Sequence, residues 1–203
     1  MSSHVAATTP YPWPYDGDLA GPATALLVVA PDGATTADDG LRSVVDRLAA
    51  AVHGVGGLVV AATTAPAAHR SRWADTVGPI GSDAAGGVGG AVALLGAGVA
   101  DKAVRARGVD AFYGSDLDLI LRTRRVERLL LAGVGLETCV HSTMRDANDR
   151  GYECLLVVDA CGPVDAALVP AALSMIEMSG GIFGAVGRSP DVLTALAFEG
   201  ALT

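Results

Sequence analysis

The sequence lacks any hydrophobic run long enough to cross a membrane as a helix. Hydrophobic residues make up 51% of the chain, but glycine, proline and charged residues break them into short runs. A spanning helix needs about 20 consecutive apolar residues. Residues 1–19 also contain no basic segment followed by an apolar one, which a secretory signal requires. We therefore expect a soluble, cytoplasmic protein that has no membrane partner.

Cysteine is scarce, and its spacing excludes two kinds of cross-link. Cys139, Cys154 and Cys161 are the three cysteines, and they form neither an even set nor a C-x-x-C pair. This pattern argues against a disulfide framework and against a thiolate zinc site, so we expect free thiols. The four histidines are scattered without the spacing of metal ligands: His4, His53, His69 and His141. We therefore expect no metal.

Basic charge is also in short supply. The formal net charge is −8 and the pI is about 4.8, so the chain as a whole repels phosphate backbones and nucleic acid is a poor candidate partner. No glycine fingerprint for a dinucleotide follows the first predicted strand. The composition and motifs therefore predict neither a nucleic-acid partner nor a cofactor.

Short apolar runs alternate with segments of helical periodicity along most of the chain. The predicted strands cover residues 25–29, 58–62, 101–106, 129–132, 155–158 and 182–186. The predicted helices cover residues 39–53, 139–150, 166–178 and 192–198, with a further helix capped by Ser115. Repeated strand-then-helix order implies a parallel sheet with helices on both faces. At 203 residues the chain suits one domain.

The sequence thus predicts a three-layer, Rossmann-like α/β domain with a six-stranded, mainly parallel sheet. This domain covers residues 23–203, and residues 1–22 form an extended arm that lies on its surface or reaches a neighbouring chain. Residues 63–90 show no periodic signal and are predicted to be a loop. The glycine-rich run at residues 86–90 within it is better suited to a shortened substrate lid than to a phosphate cradle.

Cys139 lies where such a domain binds its ligands. Ligands of parallel sheets bind beyond the carboxyl ends of the strands, and the segment GVGLETCV at residues 133–140 places Cys139 in the first turn of a helix. Backbone N–H groups and the helix dipole at that position lower a thiol's pKa and can hold an oxyanion. Cys139 is therefore a candidate nucleophile, although most intracellular cysteines only pack in the core, which is our interpretation of Cys154 and Cys161. His141 is predicted to lie on the helix surface, since side chains two residues apart on a helix diverge.

The residues around Cys139 resemble the signature of the isochorismatase-like cysteine hydrolases. The resemblance is carried by Gly133-Val134, Cys139-Val140 and the segment STMRDANDRGYEC at residues 142–154. DAFYGSDL at residues 110–117 and Asp159-Ala160 fit the same family. The arm segment YPWPYDGDL at residues 11–19 is similar to the leader of the ureidoacrylate and biuret hydrolase branch. The resemblance covers nearly the whole chain.

This resemblance implies a mechanism shared among three groups. In the family an Asp that ends strand one activates the Cys, a Lys that ends strand three stabilises the thiolate, and the Cys attacks an amide or ureido carbonyl. The division of labour has a physical reason, because an unperturbed thiol with a pKa near 8.5 is mostly protonated at neutral pH. The resemblance implies that Cys139 is the nucleophile, and it assigns substrate contacts to Phe112, Gly135, Leu136 and Thr138.

Two of the three catalytic positions depart from the family pattern. Ala30 stands where the family has its Asp, and Ala106 stands where it has its Lys. After strand two, residues 62–65 read ATTA instead of the His-Thr-Arg-Glu-like stretch common in the family. The usual base and cation are therefore both missing from their expected positions.

Nearby side chains are candidates to replace the missing base and cation. Asp32 lies two residues after the Ala30 position and could serve as the base if the turn carries it toward Cys139. Lys102 could supply the cation, or Arg105 or Arg107 could reach in from the flanks. Alternatively, none of these side chains takes part in catalysis: Asp32 is an ordinary carboxylate in a turn, and Arg105 and Arg107 lie in solvent at the rim of the site.

Three functions remain open at this point. The first is thiol-dependent hydrolysis of a C–N bond in a small amide, carbamoyl or ureido compound, with activity weakened or altered by the missing Asp and Lys. The second is a non-catalytic family member that binds a small carbonyl compound or assembles with an active paralogue; in either case we expect a homo-oligomer or a hetero-oligomer. The third is a redox or covalent-capture role for an accessible thiol.

Overall fold

The computed structural model describes residues 4–17, 19, 21–34, 39–65, 89–96 and 98–200. After a short 3-10 turn at Gly21–Ala23, its strands are β1 Thr24–Pro31, β2 Leu58–Thr64, β3 Lys102–Ala106, β4 Arg128–Val134, β5 Glu153–Gly162 and β6 Ala185–Gly187. Its helices are α1 Asp39–Gly54, α2 Gly89–Leu94, α3 Leu117–Thr123, α4 His141–Asp149, α5 Val169–Gly181 and α6 Ser189–Gly200. A π turn, Leu136–Val140, precedes α4, and a 3-10 turn, Ala166–Leu168, precedes α5.

The six strands form one parallel sheet in the order β3-β2-β1-β4-β5-β6. The central strands read as continuous apolar runs because they are buried on both faces, as the all-buried pattern of β1 illustrates. The predicted α/β fold class and the parallel sheet are confirmed. None of the helices described is long and apolar enough to cross a bilayer.

Alternate residues of each strand face two different helical layers. In β1, Leu26, Val28 and Ala30 share a core with α1, α2 and α6. Leu27 and Val29 share a core with α3, α4 and α5. This alternation is the ordinary two-residue period of a strand. The strand order reverses between β1 and β4, and such a reversal opens a crevice at the carboxyl ends of the strands.

Several predicted boundaries are corrected by the structure. Thr63 and Thr64 complete β2 instead of starting a loop, and Gly89–Leu94 forms α2. Residues 66–88 lie outside the described part, so the predicted lid stays a prediction for residues 86–88. The sixth strand, predicted at residues 182–186, is observed at Ala185–Gly187. The predicted cap at Ser115 is corrected, because Asp116 is the N-cap of α3 and makes no side-chain capping bond; the Ser115 hydroxyl accepts from the Leu117 N–H at 3.2 Å.

The N-terminal arm packs against the domain over residues 4–17. Thr9 pairs with Val186 of the edge strand β6 by reciprocal backbone hydrogen bonds of 3.0 and 2.8 Å. Val5 pairs with Trp13 within the arm, and the Trp13 side chain is completely buried. The arm therefore covers the edge of β6 and adds an aromatic side chain to the core.

Candidate active site

The site begins at Gly133 of β4, which pairs in register with Val29 of β1. Gly133 has φ +134°, and a Cβ built on it would lie 1.8 Å from the Val29 carbonyl oxygen. No residue with a side chain fits there without separating the two strands. The requirement for glycine at this position comes from its positive φ, which would direct a Cβ at the backbone of β1.

The π turn after β4 places the Cys139 sulfur. Gly135 adopts a left-handed conformation with φ 86°, and its carbonyl accepts the N–H groups of Thr138 and Val140, each at 3.0 Å. The Cys139 thiol donates to the Val134 carbonyl at 3.0 Å and lies 3.8 Å from that of Gly135. A Cβ on Gly135 would lie 2.8 Å from Sγ. Glycine is therefore required beside the sulfur as well as between the strands.

Burial controls the acidity of this thiol. Cys139 is completely buried, and the loss of solvation raises its pKa from the ordinary 9.0 to about 12. Hydrogen bonds from the Thr64 and Thr138 hydroxyls and from the Val140 and Cys139 N–H groups act in the opposite direction. The sequence led us to expect a lowered pKa at the start of a helix, but desolvation outweighs the hydrogen bonds. The thiol is therefore protonated at neutral pH.

Thr64 is a member of the site that the sequence analysis missed. It is the last residue of β2, is 1% exposed and hydrogen-bonds the Cys139 sulfur. In the sheet its register partners are Pro31 of β1 and Ala106 of β3. The available signal was its place at the end of the second apolar run, which points to the carboxyl edge of the sheet.

Ala30 and Ala106 both lie near the carboxyl ends of their strands and are buried. The Ala30 side chain packs in the core shared with α1, α2 and α6, whereas Cys139 packs on the other face of the sheet. Ala106 pairs in register with Thr64. The methyl group at position 30 therefore lies on the other face of the sheet from the sulfur.

Asp32 forms an ion pair at this edge of the sheet. Its Oδ2 lies 2.6 Å from Nη2 of Arg105, and the two side chains are 14% and 33% exposed. The Asp32 N–H donates to the Thr64 carbonyl at 2.8 Å, which holds the turn after β1 against β2. The structure thus brings Asp32 and Arg105 together across the ends of β1 and β3, where the carboxylate balances the guanidinium.

Lys102 is placed away from the site. It is the exposed first residue of β3, at the amino end of the strand, whereas Ala106 is the last. Four residues of strand span about 13 Å, so the hypothesis that Lys102 supplies the missing cation is wrong in this structure. Arg107 follows β3 directly and is exposed, in line with the alternative interpretation of a side chain in solvent at the rim of the site.

The four residues assigned to substrate contacts divide into two pairs. Gly135 and Thr138 lie beside the Cys139 sulfur. Leu136 and Phe112 are buried in the same apolar cluster as Cys139. The Phe112 ring stacks on Tyr152 with centroids 5.9 Å apart and is covered by the Arg150 guanidinium at 4.8 Å. Contact between these four residues and a substrate stays a prediction.

His141 is buried rather than on the helix surface, with 7% exposure. The five-residue π turn shifts the start of α4, and each residue added to a helical turn rotates the following side chains by about 100°. Within the described part of the chain Nε2 has no hydrogen-bond partner. Burial and the nearby Arg145 lower the pKa of His141, so its ring is held neutral.

Among the described residues, the other two cysteines and the candidate metal ligands are the groups to compare with Cys139. Cys154 and Cys161 are free thiols whose pKa is raised by burial. Over the ranges that the structure describes, no group of three or more His, Cys, Asp or Glu residues could hold a metal ion. The site chemistry rests on one sulfur surrounded by hydroxyls and backbone groups.

Comparisons with known proteins assign the chain to a family. Residues 29–187 match the isochorismatase domain, so the chain belongs to the isochorismatase domain family. Among its relatives, a ureidoacrylate amidohydrolase of Methylorubrum extorquens is 39% identical over 95 residues, which are 45% of this chain and 34% of that protein. An uncharacterized isochorismatase family protein of Escherichia coli O157:H7 is 38% identical over 74 residues, covering 36% of this chain and 39% of its own. The matches therefore span well under half the length of these relatives.

Solved structures support the same fold. A cysteine hydrolase from Pseudomonas syringae pv. phaseolicola 1448A aligns with a TM-score of 0.70 at 20% identity, covering 89% of this chain and 95% of that one. N-carbamoylsarcosine amidase from Thermoplasma acidophilum aligns with a TM-score of 0.62 at 20% identity, covering 82% and 96%. At this identity the likeness concerns the fold alone.

Proposed function

We propose that this protein is a thiol-dependent hydrolase of C–N bonds in a small amide, carbamoyl or ureido compound, with Cys139 as the nucleophile and a low turnover rate. The observation that carries the proposal is the setting of the Cys139 sulfur. It lies at the carboxyl end of a parallel sheet, beside the strand-order reversal, and receives hydrogen bonds from Thr64, Thr138 and two backbone N–H groups. Such donors favour the thiolate form of the sulfur, which is the attacking species. The amidohydrolase relatives support the class of bond.

The low rate follows from the state of the thiol. With a pKa of about 12, Cys139 is almost entirely protonated at neutral pH, and the attacking species is the thiolate. Ala30 stands at the position of the family's Asp and carries only a methyl group. The Asp32 carboxylate is already paired with the Arg105 guanidinium, with Oδ2 and Nη2 2.6 Å apart. Losing the supporting member of a catalytic triad lowers kcat by about 10⁴-fold in serine proteases. We expect a deficit of that order relative to active members of the family.

An assay with matched variants tests the proposal. Purified protein is incubated with ureidoacrylate, biuret, N-carbamoylsarcosine and nicotinamide, and ammonia release is followed. We expect slow release that Cys139→Ala abolishes and that Cys154→Ala leaves unchanged, because Cys154 is buried in the core near the amino end of β5, away from the carboxyl ends of the strands. Release that persists in Cys139→Ala would contradict the assignment of the nucleophile.

Thr64 provides a second arm of the assay. Thr64→Val removes the hydroxyl that hydrogen-bonds the sulfur, and one such bond to a charged group accounts for about a tenfold change in rate. Thr63→Val is the matched control, because the Thr63 hydroxyl accepts from the Ala91 N–H at 3.4 Å instead. Equal rates in the two variants would remove Thr64 from the mechanism.

A second candidate function is favoured by the same pKa. A thiol held protonated, with Ala30 and Ala106 at the family's ionic positions, fits a non-catalytic member that binds a small carbonyl compound or assembles with an active paralogue. Complete absence of Cys139-dependent release, together with a thermal shift on adding one of the four compounds, would favour this function.

The location and assembly are part of the proposal. We place the protein in the cytoplasm as a homo-oligomer or as a hetero-oligomer with a paralogue. Light scattering after size exclusion, performed alone and after co-expression with an active family member, measures the assembly. A stable isolated monomer that binds no ligand would contradict it.

A further inference from the structure

A cavity of about 710 Å³ lies between the N-terminal arm and the amino ends of β4 and β5. Its walls include Arg128, the first residue of β4, and Glu153, the first residue of β5. Cys139 follows the opposite end of β4, which has seven residues and therefore spans about 20 Å. The cavity is thus separate from the candidate active site.

The charges lining the cavity do not balance. Asp16, Glu127 and Glu153 contribute three carboxylates against the one guanidinium of Arg128. Burial raises the pKa of Glu153, although the Tyr15 N–H and Arg128 partly offset this effect. The end of α4 also opens into the cavity at Asn148, and a helix carries partial negative charge at its carboxyl end. This surplus of negative charge favours a ligand that carries a cation.

Arg128 adds a different requirement. Its side chain is nine-tenths buried and lines the cavity. Nη2 donates to the Asp16 carbonyl at 3.0 Å and Nη1 to Oε2 of Glu127 at 3.5 Å, whereas the buried Nε has no hydrogen-bond partner among the residues described, since Oε2 of Glu153 is 3.9 Å away. A buried donor without an acceptor costs free energy. A ligand carboxylate at the cavity-facing side of the guanidinium would share it with Glu127 and Glu153.

Two aromatic rings complete the wall. Tyr11 and Tyr15 meet edge to face with centroids 5.5 Å apart, and Tyr15 is 71% exposed. The face of a tyrosine ring attracts ammonium and guanidinium groups. The rings come from the arm, whereas Arg128 and Glu153 come from the sheet, so a ligand would bridge the two.

We propose that this cavity is a binding site for a small basic amino acid, whose carboxylate accepts from Arg128 and whose cationic groups face Glu127, Glu153 and the tyrosine rings. The cavity lies at the arm–domain junction, so occupancy ties the arm to the domain. The proposal does not depend on hydrolytic activity, because it concerns binding at the amino ends of the strands, whereas Cys139 lies at their carboxyl ends.

Isothermal titration of the full chain with three probes tests the proposal. We expect saturable binding of L-arginine, weaker binding of agmatine, which lacks the carboxylate, and weaker binding of L-norleucine, which lacks the side-chain cation. No saturable binding of L-arginine up to about 10 mM would overturn the site. Equal affinity for L-arginine and agmatine would overturn the role of Arg128.

Variants locate the binding. Arg128→Lys keeps the charge but loses the planar fork, and we expect at least a tenfold loss of L-arginine affinity. Because Arg128 is buried and this variant could unfold the arm, Glu127→Gln provides a second test at a side chain that is 71% exposed. We expect a two- to fivefold loss there, in line with an exposed ion pair. Asp39→Asn, at the exposed start of α1, is the charge-matched control, and an equal loss in this control would overturn the assigned location.

Discussion

At Cys139, burial and hydrogen bonding act on the thiol in opposite directions, and burial is the stronger. The consequence is measurable as a pH profile of alkylation by iodoacetamide. With a pKa of about 12, the thiolate fraction at pH 8 is about 10³-fold lower than for a thiol with an ordinary pKa near 9. We expect folded Cys139 to be alkylated far more slowly than the unfolded chain at pH 8, because the sulfur is buried and protonated.

Mass spectrometry of the modified peptide reports the rate at Cys139 separately from the other cysteines. The urea-unfolded chain serves as the reference, and its profile should level off near pH 9, at the ordinary thiol value. A folded-state rate that levels off at neutral pH would show an activated thiolate and would contradict the pKa of about 12.

Asp110 provides a second titration at the residue scale. Burial and hydrogen bonding to Asp146 raise the pKa of Asp110, although its carboxylate accepts the N–H groups of Phe112 at 2.9 Å and Tyr113 at 2.8 Å. Because the folded-state pKa lies above the unfolded one, the group favours the folded state at acid pH. That contribution is lost as the pH rises through the folded-state value.

Asp110→Asn should therefore be more stable than the parent protein at pH 7 but not at pH 3. Asparagine keeps an oxygen that accepts the two N–H groups and can donate to Asp146. Urea unfolding at both pH values measures the difference. Asp116→Asn is the control, because Asp116 is exposed and makes no capping bond. A variant that is less stable than the parent at pH 7 would contradict the raised pKa.

At the scale of elements, the contact between β1 and β4 depends on a missing side chain. Gly133→Ala would place a methyl group 1.8 Å from the Val29 carbonyl oxygen. We expect a loss of about 3 kcal/mol or more in the free energy of unfolding, because the strands must separate at the centre of the sheet. Urea denaturation measures it.

Gly151→Ala is the matched control for that substitution. Gly151 also has a positive φ, +85°, but a Cβ there meets nothing within 4 Å. The backbone conformation alone costs about 1–2 kcal/mol for a non-glycine residue. Equal losses in the two variants would mean that the approach of β4 to β1 is unimportant.

At the scale of the whole molecule, the arm and the domain form one core. Trp13 is completely buried and the arm hydrogen-bonds the edge strand at Val186. We expect Trp13→Ala to lower the free energy of unfolding by about 3–5 kcal/mol. The loss should also weaken any ligand held between the arm and the sheet.

Trp13→Phe separates packing from hydrogen bonding. Nε1 of Trp13 is buried without a partner in the described part of the structure, so losing it removes no bond. The phenylalanine variant should therefore keep most of the stability. A loss as large as that of Trp13→Ala would contradict the packing argument.

The order of the strands along the chain was predictable because burial on both faces demands continuous apolar runs. The runs in β1, β2 and β4 were recognisable for this reason, and the place of Cys139 after β4 followed from them. The short edge strand β6 has three residues, too few for a reliable pattern, and its predicted start was three residues early. His141 is buried because a π turn precedes α4, and hydrophobic periodicity does not predict a π turn.

The sequence by itself determined the alternation of strands and helices, the family resemblance and the cysteine at the end of a strand, because these depend on local patterns of residues. Only the tertiary structure decided that Asp32 pairs with Arg105, that Thr64 reaches the sulfur and that the thiol is held protonated. Solvation and pairing depend on groups that arrive from other strands and helices. A local pattern cannot specify those neighbours, so they became visible only when the sheet was assembled.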